Sequence, residues 1–121
     1  MLVANDTFFP HGVSSVDLSS DWTSSPLPLE HAMFLTIQLL FEGTPAGAFY
    51  LECSSEPFDL FKQNKTPTVW TRITGSTQSI SEAGDHTWNV EDAGFAWVRI
   101  QWEVSGGMGT LTKAQLNAKG V

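Results

Sequence analysis

His31-Ala32-Met33-Phe34-Leu35-Thr36-Ile37-Gln38-Leu39-Leu40-Phe41-Glu42 is the stretch that decides the fold. Met33, Leu35, Ile37, Leu39 and Phe41 recur at every second position, which in an extended chain places them all on one face. Ala32, Phe34, Thr36, Gln38 and Leu40 take the other. A helix through the same apolar run is disfavoured, because Pro26 and Pro28 stand close before it and β-branched and aromatic side chains are common in it. The spacing therefore predicts a strand. Glu42-Gly43-Thr44-Pro45-Ala46-Gly47 has turn chemistry, and Ala48–Ser54 then resumes the alternation, with Phe49, Leu51 and Cys53 against Tyr50 and Glu52. The two runs read as an antiparallel pair joined by that turn.

Further along, Phe95–Val104 carries the strongest strand signal. Ala96, Val98, Ile100, Trp102 and Val104 make an apolar face, and Phe95, Trp97, Arg99, Gln101 and Glu103 a mixed one. Ser105-Gly106-Gly107-Met108-Gly109 reads as a tight hairpin turn, since glycine accepts positive φ, and Thr110–Lys119 as the closing strand. Thr68–Gly75 and His86–Val90 also read as strands, with polar loops at Ser55–Thr66 and Ser76–Asp85 and weaker strands near Gly12–Leu18 and Trp22–Ser25. Short strands separated by turn signals, without an amphipathic helix, specify an all-β fold. The expected form is an antiparallel β-sandwich of jelly-roll or related Greek-key type. Its two sheets pack across Met33, Leu35, Ile37, Leu39, Phe41, Val98, Ile100 and Trp102. No linker or charge block divides the 121 residues, so a single domain over 1–121 is expected, with residues 1–11 as an N-terminal arm.

The chain carries 6 Lys and Arg against 13 Asp and Glu, a formal net charge of −7. That balance argues against nucleic acid as a partner, because phosphates require a cationic surface. No stretch approaches the roughly 18 apolar residues of a membrane span. The start Met1-Leu2-Val3-Ala4-Asn5-Asp6 lacks the features of a secretory signal, so folding in a reducing cytoplasm is expected. Cys53 is the single cysteine, which leaves no disulfide within these residues and no zinc cluster of cysteines. It alternates with Phe49 and Leu51 as a small core residue, and Glu52 and Glu56 flank it, the reverse of the electropositive setting a reactive thiolate needs.

Catalytic patterns are weak. The sequence has no Gly-x-Ser-x-Gly elbow and no glycine-rich phosphate loop, and His11, His31 and His86 sit in dissimilar contexts. Glu42, Glu52 and Glu103 lie on strands or strand ends, where a facing pair would suit glycoside hydrolysis, yet their separation is not a property of sequence. Asp85, Glu91 and Asp92 could gather around Ca²⁺ but match no EF-hand spacing. The expectation is a non-enzymatic chain without metal or cofactor. The aromatics carry more. Phe34, Tyr50, Trp70, Phe95 and Trp97 alternate away from the core face, as a second buried face, a protein interface or a sugar platform. Phe8 and Phe9 precede Pro10 outside any convincing strand and read as an arm reaching a neighbouring subunit. The candidate interaction residues are thus Phe8, Phe9, Tyr50, Trp70 and Trp97.

Several stretches combine into a family pattern. They are Ser19-Ser20-Asp21-Trp22-Thr23-Ser24-Ser25-Pro26-Leu27, Gly43-Thr44-Pro45-Ala46-Gly47 and Leu51-Glu52-Cys53-Ser54-Ser55-Glu56-Pro57. Near the end come Phe95-Ala96-Trp97-Val98-Arg99-Ile100-Gln101-Trp102, Gly106-Gly107-Met108-Gly109-Thr110-Leu111 and Lys119-Gly120. From Trp22 onward this order resembles small β-sandwich structural proteins of tailed bacteriophages and related viruses. The resemblance implies a virion component folded in the host bacterial cytoplasm: a capsid decoration (cement) protein, or a tail or fibre module. Its partner would be the major capsid or another virion protein. Repeated contacts about a symmetry axis imply a homo-oligomer, with a trimer favoured. The alternative is a carbohydrate-binding module or receptor-binding fibre domain in which Tyr50, Trp70 or Trp97 stacks on a glycan.

Overall fold

The computed structural model describes residues 3–10, 12–29, 32–56, 67–91, 93 and 95–120. These residues form nine strands: β1 (Val3–Thr7), β2 (Val16–Asp17), β3 (Trp22–Thr23), β4 (Leu27–Pro28), β5 (Ala32–Ser54), β6 (Thr71–Arg72), β7 (Gln78–Ile80), β8 (Gly84–Val90) and β9 (Trp97–Gly120). All pairings are antiparallel, and the strands make one sheet curled into a half-barrel. The all-β antiparallel class thus holds, built from a single sheet. Two long strands organise it. β5 and β9, of 23 and 24 residues, pair along almost their whole length. The other edge of β9 carries β1, β2, β3 and β4, and that of β5 carries β8, β7 and β6.

Neither glycine-rich segment turns the chain back, contrary to the hairpins expected from sequence. Gly43, Thr44, Pro45 and Ala46 lie opposite Gly109, Met108, Gly107 and Gly106, so each segment finds its partner in the other. Gly43 and Gly107 take positive φ (86° and 72°), and together the glycines bend a two-stranded ribbon. The bend brings Phe41 against Phe49, with ring centroids 5.7 Å apart, and seats Phe49 on Trp102 at 4.4 Å. β9 has one extra residue on either side of this corner. Thr112 and Ser105 are passed over in the register, a bulged arrangement that allows Leu111 and Ala114 both to face inward. Strict alternation through Thr110–Lys119, as read from sequence, is broken there.

Leu35, Ile37, Leu39, Phe41, Val98, Ile100 and Trp102 are all buried, as the alternation required, and Leu18, Leu111 and Leu116 join them. The side chain of Met33 and residue His11 lie outside the described residues. The N-terminal segment departs from the expected arm. β1 adds to β9 from Val3 opposite Lys119 to Thr7 opposite Gln115. Phe8 is 0% exposed and Phe9 8%. The Phe8 amide donates to the Ala114 carbonyl (2.9 Å), and the Phe8 carbonyl accepts from Ser25 (3.2 Å), tying the β1 side of the sheet to the segment between β3 and β4. Phe9 meets Trp22 edge to face at 6.1 Å. Smaller differences lie elsewhere: the strand expected over Thr68–Gly75 is only Thr71–Arg72, and β7 forms within the expected loop at Ser76–Asp85.

A buried hydroxyl closes the far edge. Ser76 accepts from the Leu51 amide (3.0 Å) and donates to the Ile73 carbonyl (2.7 Å), while its own carbonyl accepts from the Trp88 indole (2.8 Å). Ser76→Ala strands the Leu51 amide and is expected to cost about 1–3 kcal/mol. A lower urea midpoint at unchanged m would show it.

Candidate functional site

The alternation that buries Phe49, Leu51, Val98, Ile100 and Trp102 turns Tyr50, Glu52, Arg99, Gln101 and Glu103 to the opposite face of the sheet. The register puts Glu52 directly opposite Arg99 on β9 and opposite Arg72 on β6. One Glu52 oxygen accepts from the Arg99 Nε and from the Gln101 side-chain amide, each at 2.8 Å, and the Thr23 hydroxyl donates to the other end of that amide at 2.7 Å. The polar chain thus crosses β3, β9 and β5.

Two arginines lie on two aromatic rings beside it. The Arg99 guanidinium is 4.2 Å from the Trp70 ring centroid, and that of Arg72 is 3.6 Å from the Tyr50 centroid. Such stacking is favourable and holds a planar guanidinium in place. The Tyr50 hydroxyl donates to Glu103 at 2.9 Å, with Arg72 3.8 Å from the same oxygen. Burial, then the hydrogen bond to Glu103, raises the Tyr50 hydroxyl above its usual pKa, so it stays a donor. The Arg99–Glu52 pair is sheltered at 23% and 15% side-chain exposure, whereas Arg72–Glu103 is open to solvent and adds little stability.

Trp70 is positioned from the loop side. Its indole donates to the Pro67 carbonyl (3.1 Å), and Glu56 accepts from the amides of Thr68 and Val69. Those bonds, with the Val69 amide foremost, hold the Glu56 carboxyl below its ordinary pKa. The clamp is therefore complete at neutral pH and loosens as pH falls through that lowered value.

Of the five aromatics singled out from sequence, Tyr50 and Trp70 lie under the two arginines of this cluster, Tyr50 itself buried and Trp70 half-buried. Trp97 precedes Arg99 by two residues on the same strand but is buried, opposite Ser54 and Pro28. Phe8 and Phe9 belong to the core of their own chain. Glu52 and Glu103, considered as a hydrolytic pair, are instead engaged by arginine, glutamine and tyrosine. Cys53 is half-buried and lies outside the core, unlike Phe49 and Leu51, and its partial burial raises the thiol above its usual pKa, the reverse of a reactive thiolate. Arg72 and Arg99 were missed. The signal was there for Arg99, which shares a period-two face with Trp97 and Gln101. Among the described residues no group of three or more His, Cys, Asp or Glu could hold a metal ion, and Asp92 of the Asp85–Glu91–Asp92 set lies outside them. Among the same residues no helix is long and apolar enough to cross a membrane.

No protein-family model matches the chain, and no curated protein matches it. Solved structures do. The SPBc2 prophage-derived protein YomS superposes with a TM-score of 0.57 at 12% identity, over 97% of this chain and 93% of that one. The K1 cleaved adhesin domain of Lys-gingipain from Porphyromonas gingivalis W83 gives 0.50 at 11% identity, over 100% and 99%. At such identities the likeness is one of fold. It extends over nearly the whole of each chain.

Proposed function

We propose that the chain is a non-enzymatic docking protein of phage structural or adhesin-like type, which self-associates and binds a protein surface through the Arg72–Tyr50 and Arg99–Trp70 stacks. Capsid decoration, in the virion, is the form we favour. The observation that carries the reading is the patch itself: Trp, Tyr and Arg are the side chains that dominate binding hot spots, and here each arginine is already stacked on its ring, with Arg99 also bonded to Glu52. The fold shared with a prophage-derived protein and an adhesin domain supports it. Sugar stacking is less favoured, because Arg72 covers Tyr50, Arg99 covers one face of Trp70, and Trp97 is buried.

Antibody raised against the recombinant chain should label the surface of purified phage particles in immunogold electron microscopy. Label confined to the host lysate would sink the virion assignment. Rebinding of recombinant chain to stripped particles should weaken about tenfold or more in Trp70→Ala and in Arg99→Ala. Undiminished rebinding of both variants would remove the patch from the interface. A glycan-array signal lost in Trp70→Ala would favour the sugar-binding alternative.

A further inference from the structure

A sheet edge presents unpaired amides and carbonyls, and proteins blunt such edges with short strands, proline, lysine or bulges. Most outer edges of this sheet are blunted. β2, β3, β4 and β6 have two residues each, β7 has three, and β4 contains Pro28. β1 has five. β8 is the longest of them. Its seven residues, Gly84–Val90, pair with Leu35–Phe41 of β5 without a register shift, and they include neither proline nor lysine. Among the described residues β8 pairs with β5 alone.

We propose that the outer edge of β8 is a self-pairing edge, through which two copies of the chain join their sheets antiparallel about a two-fold axis at Thr87. The proposal rests on the self-associating reading above and names the surface that carries it. A contact of this kind closes at two copies, which makes the dimer the unit in place of the trimer that the family resemblance implied.

A second copy is the occupant because the strand is complementary to itself. Thr87 is the middle residue of the seven, so a two-fold there pairs the whole strand: Gly84 with Val90, Asp85 with Asn89, His86 with Trp88 and Thr87 with Thr87. For a molecule of net charge −7, like charges in a contact must be avoided. In this register Asp85 faces an amide. The Asn89 oxygen already accepts from Thr36 at 3.0 Å, which leaves its N–H groups for the Asp85 carboxylate of the second copy. Moving the axis one residue on, to Trp88, would pair only the five residues His86–Val90. Moving it one residue back would pair only five residues. On the core side His86 and Trp88 already meet edge to face at 4.7 Å, and pairing extends that contact across the axis. On the outer side Asp85, Thr87 and Asn89 are exposed.

The test is the oligomeric state of the full chain by sedimentation velocity. The wild type is expected to dimerise. Thr87→Lys sets lysine against lysine at the axis and should weaken the dimer at least tenfold. Asn89→Lys sets lysine against Asp85 and should tighten it. Gln38→Lys, an exposed position opposite Thr87 but on the inner strand β5, should leave it unchanged. A strictly monomeric wild type overturns both this proposal and the self-associating reading. An oligomer indifferent to Thr87→Lys, or loosened equally by Gln38→Lys, overturns the edge alone. Should Thr87→Lys fail to fold, Thr87→Cys in a Cys53→Ser background decides. Directly opposed residues have Cβ atoms about 4.5–5.5 Å apart, near enough for a disulfide after small adjustment. A covalent dimer on mild oxidation supports the pairing, and its absence overturns it.

Discussion

A chain truncated before His11 is expected to be unfolded at room temperature, with the dispersed amide spectrum and cooperative melting of the intact protein both lost. The truncation removes β1, so the edge of β9 from Gln115 to Lys119 loses its ladder partner. It also removes Phe8, which is wholly buried, and Phe9, which is nearly so. Deleting a buried phenylalanine side chain typically costs about 3–5 kcal/mol. Two such losses are comparable with the roughly 5–15 kcal/mol that holds an ordinary domain together. The backbone loss adds to this, because Phe8 links Ala114 on β9 to Ser25 between β3 and β4. Phe8→Ala alone should leave a folded protein with its unfolding free energy lowered by about 3–5 kcal/mol, read as a lower denaturation midpoint at unchanged m. A truncated chain that still unfolds cooperatively, at the wild-type midpoint, would place the segment outside the core.

How much of this could be read from residues alone depends on the range of the interaction. The faces of β5 and β9 were legible, since period two is a local property and a strand with one buried side must show it. Leu35 to Phe41 and Val98 to Trp102 therefore fell where the pattern put them. The corner was not legible. Gly43-Thr44-Pro45-Ala46-Gly47 has the same local chemistry whether it reverses the chain or bends a ribbon. What decides is a second glycine-rich stretch, Gly106 to Gly109, arriving in register from far along the chain. Phe8 and Phe9 escaped for a related reason: they follow a strand and do not alternate within one, so no periodicity marks them. At the site, Tyr50 and Trp70 were visible as aromatics turned from the core. Which groups cover their rings was set by pairing, because Arg72 reaches Tyr50 only once β6 lies beside β5.

The second large effect is expected at the corner, in Gly47→Ala. A Cβ at Gly47 would lie 2.2 Å from the Glu103 carbonyl oxygen and 2.8 Å from the Trp102 ring. The nearer obstacle is backbone, which no rotamer change can clear, and the ring behind it is fixed. Trp102 is fully buried, packed at a tilt against Phe49 and tethered by its indole N–H to the Leu18 carbonyl at 3.0 Å. Overpacking a dense interior usually costs about 1–3 kcal/mol, and a clash with an immobile strand belongs at or above the top of that range. Gly106→Ala is the control, since nothing lies within 4 Å of its added methyl and its φ is not positive. It should change stability by less than about 1 kcal/mol. A double-mutant cycle separates the two obstacles. Trp102→Ala should itself cost about 3–5 kcal/mol. If the Glu103 carbonyl is the principal barrier, Gly47→Ala keeps most of its penalty in the Trp102→Ala background. If the penalty vanishes there, the indole is what excludes a side chain at Gly47, and the close approach of β5 to β9 at this point is a result of how Trp102 packs.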